Sequence, residues 1–186
     1  MIHFERSFDY PLIRHIMTHP KIYPHITDDY SPPISEYHPI QNEYMWYVIV
    51  HDIYVVDVGP EEILGLWVLH PHNTICWEIH TCLLPNAWGP RGQVAARLLP
   101  EWIWQNTTCR RIITAVPTTN RLALHFAFKA GMKAYGVNEA SYFKNDRLCD
   151  QVVLGISAPA EYAPHSRSEA QEFIAAYVRE GDRICQ

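Results

Sequence analysis

The sequence predicts a mixed α/β domain: a mostly antiparallel central sheet flanked by helices, with one further helix at the C-terminus. Three observations predict it. Three β-type runs follow one another between residues 44 and 84, and the last two are joined by only four residues. Beyond them, strand and helix patterns alternate, which is how isolated β-α-β units enter such a sheet. A loop carrying Gly and Pro stands directly before the longest helical pattern.

The elements follow in order. Residues 2–7, IHFERS, alternate as an edge strand does. Asp9 is placed to cap a helix over YPLIRHIMTH, which stops at His19-Pro20 because proline disfavours helix in the residue before it. Residues 21–42, rich in Pro and Tyr, read as a loop with short helical turns. The strands YMWYVIV (44–50), EILGLWVL (62–69) and TICWEIHTCLL (74–84) come next, with HPHN (70–73) as a hairpin connection. A helix over about 92–105 contains Pro100, which should bend or end it. Strand RIITAV (111–116), a helix from Asn120 through Lys129 closed by Gly131, and strands around MKAYGV and QVVLGIS complete the domain, residues 1–157. Residues 158–186 read as a Pro/Ala/Ser-rich linker and a capped amphipathic helix with Phe173, Ile174, Tyr177 and Val178 on one face. That helix can pack back on its own domain, pair two copies as a homodimer, or dock on an assembly partner.

At 186 residues the chain has the size of one domain with its own core. It carries 20 acidic against 15 basic residues and no concentrated Lys/Arg footprint, which argues against nucleic acid as partner. No run approaches the ~18–20 apolar residues of a membrane span, and the N-terminus lacks a signal-peptide pattern. Five cysteines, an odd number without a CxxC pair, suggest reduced thiols in a cytoplasm.

The loop and helix 86–104, NAWGPRGQVAARLLPEWIW, ask whether a phosphate is held at the helix N-terminus, where backbone N–H groups and the dipole favour an anion. Arg91-Gly92-Gln93-Val94-Ala95-Ala96 lie there, followed downstream by Asn120-Arg121-Leu122-Ala123 and Gly131-Met132. This order resembles the GNAT fold of acyl-CoA-dependent N-acetyltransferases, over roughly residues 2–157 and most closely over 74–132. In that family an Arg/Gln-x-x-Gly-x-Gly/Ala loop holds the coenzyme's pyrophosphate, and Val94 departs from it where glycine is usual. The pair Trp88-Gly89 is similar to a branch that acetylates ribosomal-protein N-termini; the two resemblances imply registers three residues apart. Residues 102–131 look closest to GNAT-like proteins of tailed phages, some of them head-assembly factors.

The resemblance implies acetyl-CoA as co-substrate, an amine as acceptor and no metal. Arg91 to Ala96 would hold pyrophosphate, Leu83 and Leu84 the pantetheine arm in a gap between two strands, and Asn120 its amides. Strand alternation puts Cys76, Glu78, His80 and Cys82 on one face. Glu78 stands four residues before Cys82, as the base does in the histone-acetylating branch. His80, with an unperturbed pKa of about 6.5, suits the same work, although a Glu–His pair on a strand also serves as an ordinary hydrogen-bonded pair. A metal site from Cys76, His80, Cys82 and the His70/His72 pair does not match ordinary structural-zinc spacing. Where the family often carries a tyrosine to protonate the leaving thiolate, this chain has Ala127, flanked by Phe126 and Phe128. Asn120 also suits an ordinary helix cap. Two readings stand: an N-acetyltransferase, and a non-catalytic binding or assembly protein of the same shape.

Overall fold

The computed structural model describes residues 1–52 and 62–162. A seven-stranded sheet runs through it in the order β1-β2-β3-β4-β5-β7-β6. The strands are β1 (Ile2–Ser7), β2 (Trp46–Asp52), β3 (Glu62–Pro71), β4 (Cys76–Leu83), β5 (Arg111–Pro117), β6 (Lys133–Lys144) and β7 (Arg147–Ser157). All neighbours are antiparallel except β4 and β5. The helices are α1 (Tyr10–Met17), α2 (Tyr23–Ile26), α3 (Pro90–Asn106) and α4 (Arg121–Lys129). This is the predicted mixed, mostly antiparallel sheet.

The sheet separates two cores by the alternation of its strands. Ile13, Ile16 and Met17 of α1 pack on Tyr47, Ile49, Leu66, Val68 and Cys82. On the opposite face, Ala95, Ala96, Leu99 and Ile103 of α3 pack on Val48, Val50, Trp67, Trp77, Ile79 and Leu83. The caps behave as their sequence implies: the Asp9 carboxylate accepts from the Leu12 amide at 3.0 Å, and the Asn120 side chain accepts from the Ala123 amide at 3.2 Å. Gly131, at φ +95°, turns the chain out of α4.

Four expectations change. The helix expected over 92–105 begins earlier, at Pro90, because proline suits a first helical position where no amide partner is needed. It also continues past Pro100, which is itself buried; one missing hydrogen bond is offset by the packing of Leu99, Ile103 and Trp104 around it. The last two strands are longer than their sequence pattern. They form a hairpin turning at Asn145 and Asp146, both at positive φ (52° and 56°), as a tight hairpin turn requires. Trp102 and Trp104 meet different neighbours, Phe4 of β1 and Tyr162 respectively. The start of the expected linker is thus docked: Ala158 is buried and the Tyr162 hydroxyl donates to Glu101. The expected C-terminal helix lies outside the described residues.

Candidate active site

The β4–β5 pair decides the site. The two strands share register only over Cys76–Arg111, Trp77–Ile112 and Glu78–Ile113, and beyond that point they part. The space between them belongs to a cavity of about 940 Å³, within the range of small-molecule sites. It reaches both faces of the sheet. Lys21 and His25 line it on the α1–α2 side, and Gln93, Val94 and Asn120 on the α3–α4 side. Glu78, at the fork where pairing stops, and His80 line it too.

Backbone direction along the open edge follows from one bond. The Leu84 amide donates to the Leu64 carbonyl of β3 at 2.9 Å, so alternation turns the Leu83 N–H and C=O toward the gap. The Leu83 carbonyl is met there by the Trp88 indole N–H, also at 2.9 Å. Leu84 has no such freedom: its carbonyl accepts from the Ala87 amide. Of the two leucines expected against a pantetheine arm, only Leu83 has its backbone toward the opening.

The loop before α3 closes the other end of the cavity. Gly89 caps the helix at φ +93°, a conformation glycine adopts readily, and no side chain caps the helix start. The first-turn amides of an α-helix have no acceptor within it. Gly89, Arg91 and Gly92 supply such amides here, and Pro90 has none. From Gln93 onward the amides enter the helical ladder, Gln93 donating to the Gly89 carbonyl at 3.1 Å. The residues of the expected cradle, Arg91 to Ala96, fall into different surroundings. Val94 is half exposed with its amide inside the helix, and Ala95 and Ala96 are buried in the core. The Arg91 guanidinium turns away to Asp52 at 3.1 Å and Glu62 at 2.6 Å. Gly92 serves packing: a Cβ there would lie 2.5 Å from the Ala87 carbonyl oxygen and 2.9 Å from Leu83. The geometry favours the register on Trp88-Gly89.

Glu78 is held by histidines. Its Oε2 lies 2.9 Å from His72 Nε2 and 3.5 Å from His70 Nε2, and its Oε1 lies 3.9 Å from His80 Nε2. Register explains the His70 contact, since His70 of β3 stands opposite Glu78. Enclosure in the cleft lowers the His80 pKa below its ordinary value; the Glu78 charge opposes this, and His70 and His72 add to it. A neutral His80 imidazole can accept a proton at neutral pH. Cys82, on the same strand face, is fully buried and its thiol is pushed up to about 12, which removes it from reaction or metal binding.

Ala127 is buried against Val116 and Leu154 and lines the cavity, so no phenol stands there. Tyr142 does line it, with its hydroxyl donating to the Thr27 carbonyl at 2.5 Å. Lys144 Nζ donates to the same carbonyl at 2.7 Å, and Tyr30 stacks on Phe143. The tip of the β6–β7 hairpin thereby holds residues 27–30 beside the cavity. Nothing in the sequence spacing marks Tyr142, because a register over 115 residues brings it there.

No family profile and no curated protein sequence matches the chain. Solved structures do. A spermidine N-acetyltransferase from Vibrio cholerae, determined in complex with CoA and spermine, superposes with a TM-score of 0.68 at 16% identity, over 87% of this chain and 97% of that one. An N-acetyltransferase from Staphylococcus aureus Mu50 superposes with a TM-score of 0.62 at 13% identity, over 84% of this chain and 97% of that one. The fold is that of the GNAT N-acetyltransferases. The parted strands and the uncapped helix start are this chain's own version of it.

Proposed function

We propose that the protein is an acetyl-CoA-dependent N-acetyltransferase acting on an amine. The single observation that carries this reading is the parting of β4 from β5 directly above Glu78, which opens one cavity to both faces of the sheet. Coenzyme would enter on the α3–α4 side, its pyrophosphate on the amides at Gly89, Arg91 and Gly92 with help from the helix dipole. Its pantetheine arm would lie along Leu83, with Asn120 at its edge. The acceptor would come from the α1–α2 side, past Lys21 and His25.

Acetyl transfer then needs little further. The amine nitrogen attacks the thioester carbonyl carbon, the C–S bond breaks, and the amine's proton passes to Glu78, directly or through His80. The Leu83 N–H faces the gap and would donate to the oxyanion that forms on the carbonyl oxygen. The released thiolate takes its proton from solvent or from a cavity hydroxyl, Tyr142 being the phenol within the lining. Among the described residues of the lining, Glu78 is the carboxylate, and Lys21, His25 and His80 share the cavity with it.

The test has two parts. Glu78→Gln should lower kcat by about 10²–10⁴-fold while calorimetric affinity for acetyl-CoA stays as in the parent. Unchanged turnover would remove Glu78 from the role. The second reading, a non-catalytic binding or assembly protein such as a phage head-assembly factor, is favoured by the buried Ala127 where an acid would stand. Its signature is an absence of acetyl-CoA binding even at millimolar coenzyme.

A further inference from the structure

Around Glu78 the hairpin gathers a donor set that no spacing rule in the sequence describes. One ring nitrogen each of His70 and His72 and a Glu78 carboxylate oxygen all lie within 4.8 Å of one another. Two of the separations, 2.9 Å and 3.5 Å, bracket the distance expected between neighbouring ligands of a single ion. Donors about 2.0–2.2 Å from a tetrahedral zinc stand roughly 3.3 Å apart. The set is two imidazoles and one carboxylate, the donor chemistry of three-ligand zinc sites that keep a fourth position open. His80 stands nearby, its ring 5.7 Å from the His70 ring.

We propose that His70, His72 and Glu78 bind a divalent transition metal of the zinc type, reversibly, and that the bound ion takes the Glu78 carboxylate out of use as a base. The positions of the three residues are fixed by the fold rather than by flexible side chains. His70 and Glu78 are cross-strand partners, and the His72 amide is tied to the Cys76 carbonyl at 2.9 Å at the turn. Access is open: His70 and His72 are one-third and about half exposed, whereas Glu78 is 18% exposed. Exchange rather than permanent occupancy follows from two features. Among the described residues three protein ligands converge, and the buried His70 Nδ1 has no hydrogen-bond partner among them to orient and strengthen the ligand. The cysteines that sequence alone sets beside these histidines are excluded: Cys82 is sealed in the α1 core, and Cys76 lies outside the cluster.

The consequence for catalysis rests on the role given to Glu78 above; the metal site itself does not. Metal-free full-length protein is titrated with zinc chloride against a chromogenic chelator, in parallel with His72→Ala and His70→Asn variants, and each is separately titrated with acetyl-CoA. The expected result is one zinc per chain with a micromolar Kd, weakened at least about tenfold in either variant, with acetyl-CoA affinity unchanged throughout. Substoichiometric zinc in the parent, or equal zinc affinity in all three proteins, overturns the site. Stoichiometric zinc that leaves acetyl transfer at its metal-free rate overturns the inhibitory consequence. A failure of acetyl-CoA to bind while zinc still binds counts against the transferase reading alone.

Discussion

At the scale of single residues, Arg91 shows how a side chain's partners reassign its role. A basic residue at the loop before a helix invites a phosphate. Here its guanidinium bridges Asp52 and Glu62, and Asp52 also receives the N-terminal ammonium at 3.0 Å. The N-terminus first and Arg91 second hold the Asp52 carboxyl below its ordinary range. A carboxyl depressed on folding contributes stability above its unfolded pKa of about 3.9, and that stability is lost as pH falls through the folded value. Asp52→Asn should therefore flatten the acid side of the stability–pH profile, leaving the shape near neutrality alone. Arg91→Ala should lower stability in urea unfolding at pH 7, by less than a buried pair would because Arg91 and Glu62 are partly exposed. An Arg91→Ala variant with full stability and lost acetyl-CoA affinity would return Arg91 to the phosphate.

At the scale of elements, the start of α3 carries the coenzyme reading, and its two glycines do different work. Gly92 sits where a Cβ would strike the Ala87 carbonyl, so Gly92→Ala must shift the helix against the turn before it. We expect a loss of about 1–3 kcal/mol from this overpacking. A Cβ at Gly89 would meet no atom within 4 Å, so its substitution acts through backbone conformation alone. Gly89→Ala should cost about 1–3 kcal/mol of strain and weaken acetyl-CoA binding more than Gly92→Ala does for equal loss of stability. Paired urea titrations and calorimetry separate the two. Equal coenzyme affinity in both variants would argue that the cap conformation holds no phosphate.

At the scale of the whole molecule, the sheet divides the four described thiols into two classes. Cys82 and Cys109 are buried in opposite cores and burial pushes both up to about 12, whereas Cys76 and Cys149 are partly exposed. Only thiolate reacts readily. Disulfide reagents at pH 8 should modify Cys149 quickly, and Cys82 and Cys109 only when the chain unfolds, which peptide mapping after timed quenching will show. Early labelling of Cys82 would mean that α1 does not seal the face on which Glu78 lies.

Local pattern was enough for much of this architecture. Apolar alternation marks the strands, Asp9 and Asn120 mark helix starts, and Gly131 marks an end, because each depends on backbone chemistry within a few residues. The run of adjacent strands followed by β-α-β order carries the sheet class for the same reason. Local pattern failed where a distant partner outweighed it. Pro100 stays helical because the core holds it, and Ala95 and Ala96 are buried in that core, inside a helix that starts two residues earlier than periodicity suggests.

The sequence by itself determined the mixed sheet, the capped helices and the strand face shared by Glu78 and His80. These follow from side-chain period and turn chemistry, which act between neighbours in the chain. Only the tertiary structure decided that β4 and β5 part above Glu78, that Arg91 belongs to carboxylates, and that His70 and His72 close on the same carboxylate. Those outcomes depend on register between strands, and register is set by the packing of whole faces that no short window of sequence contains.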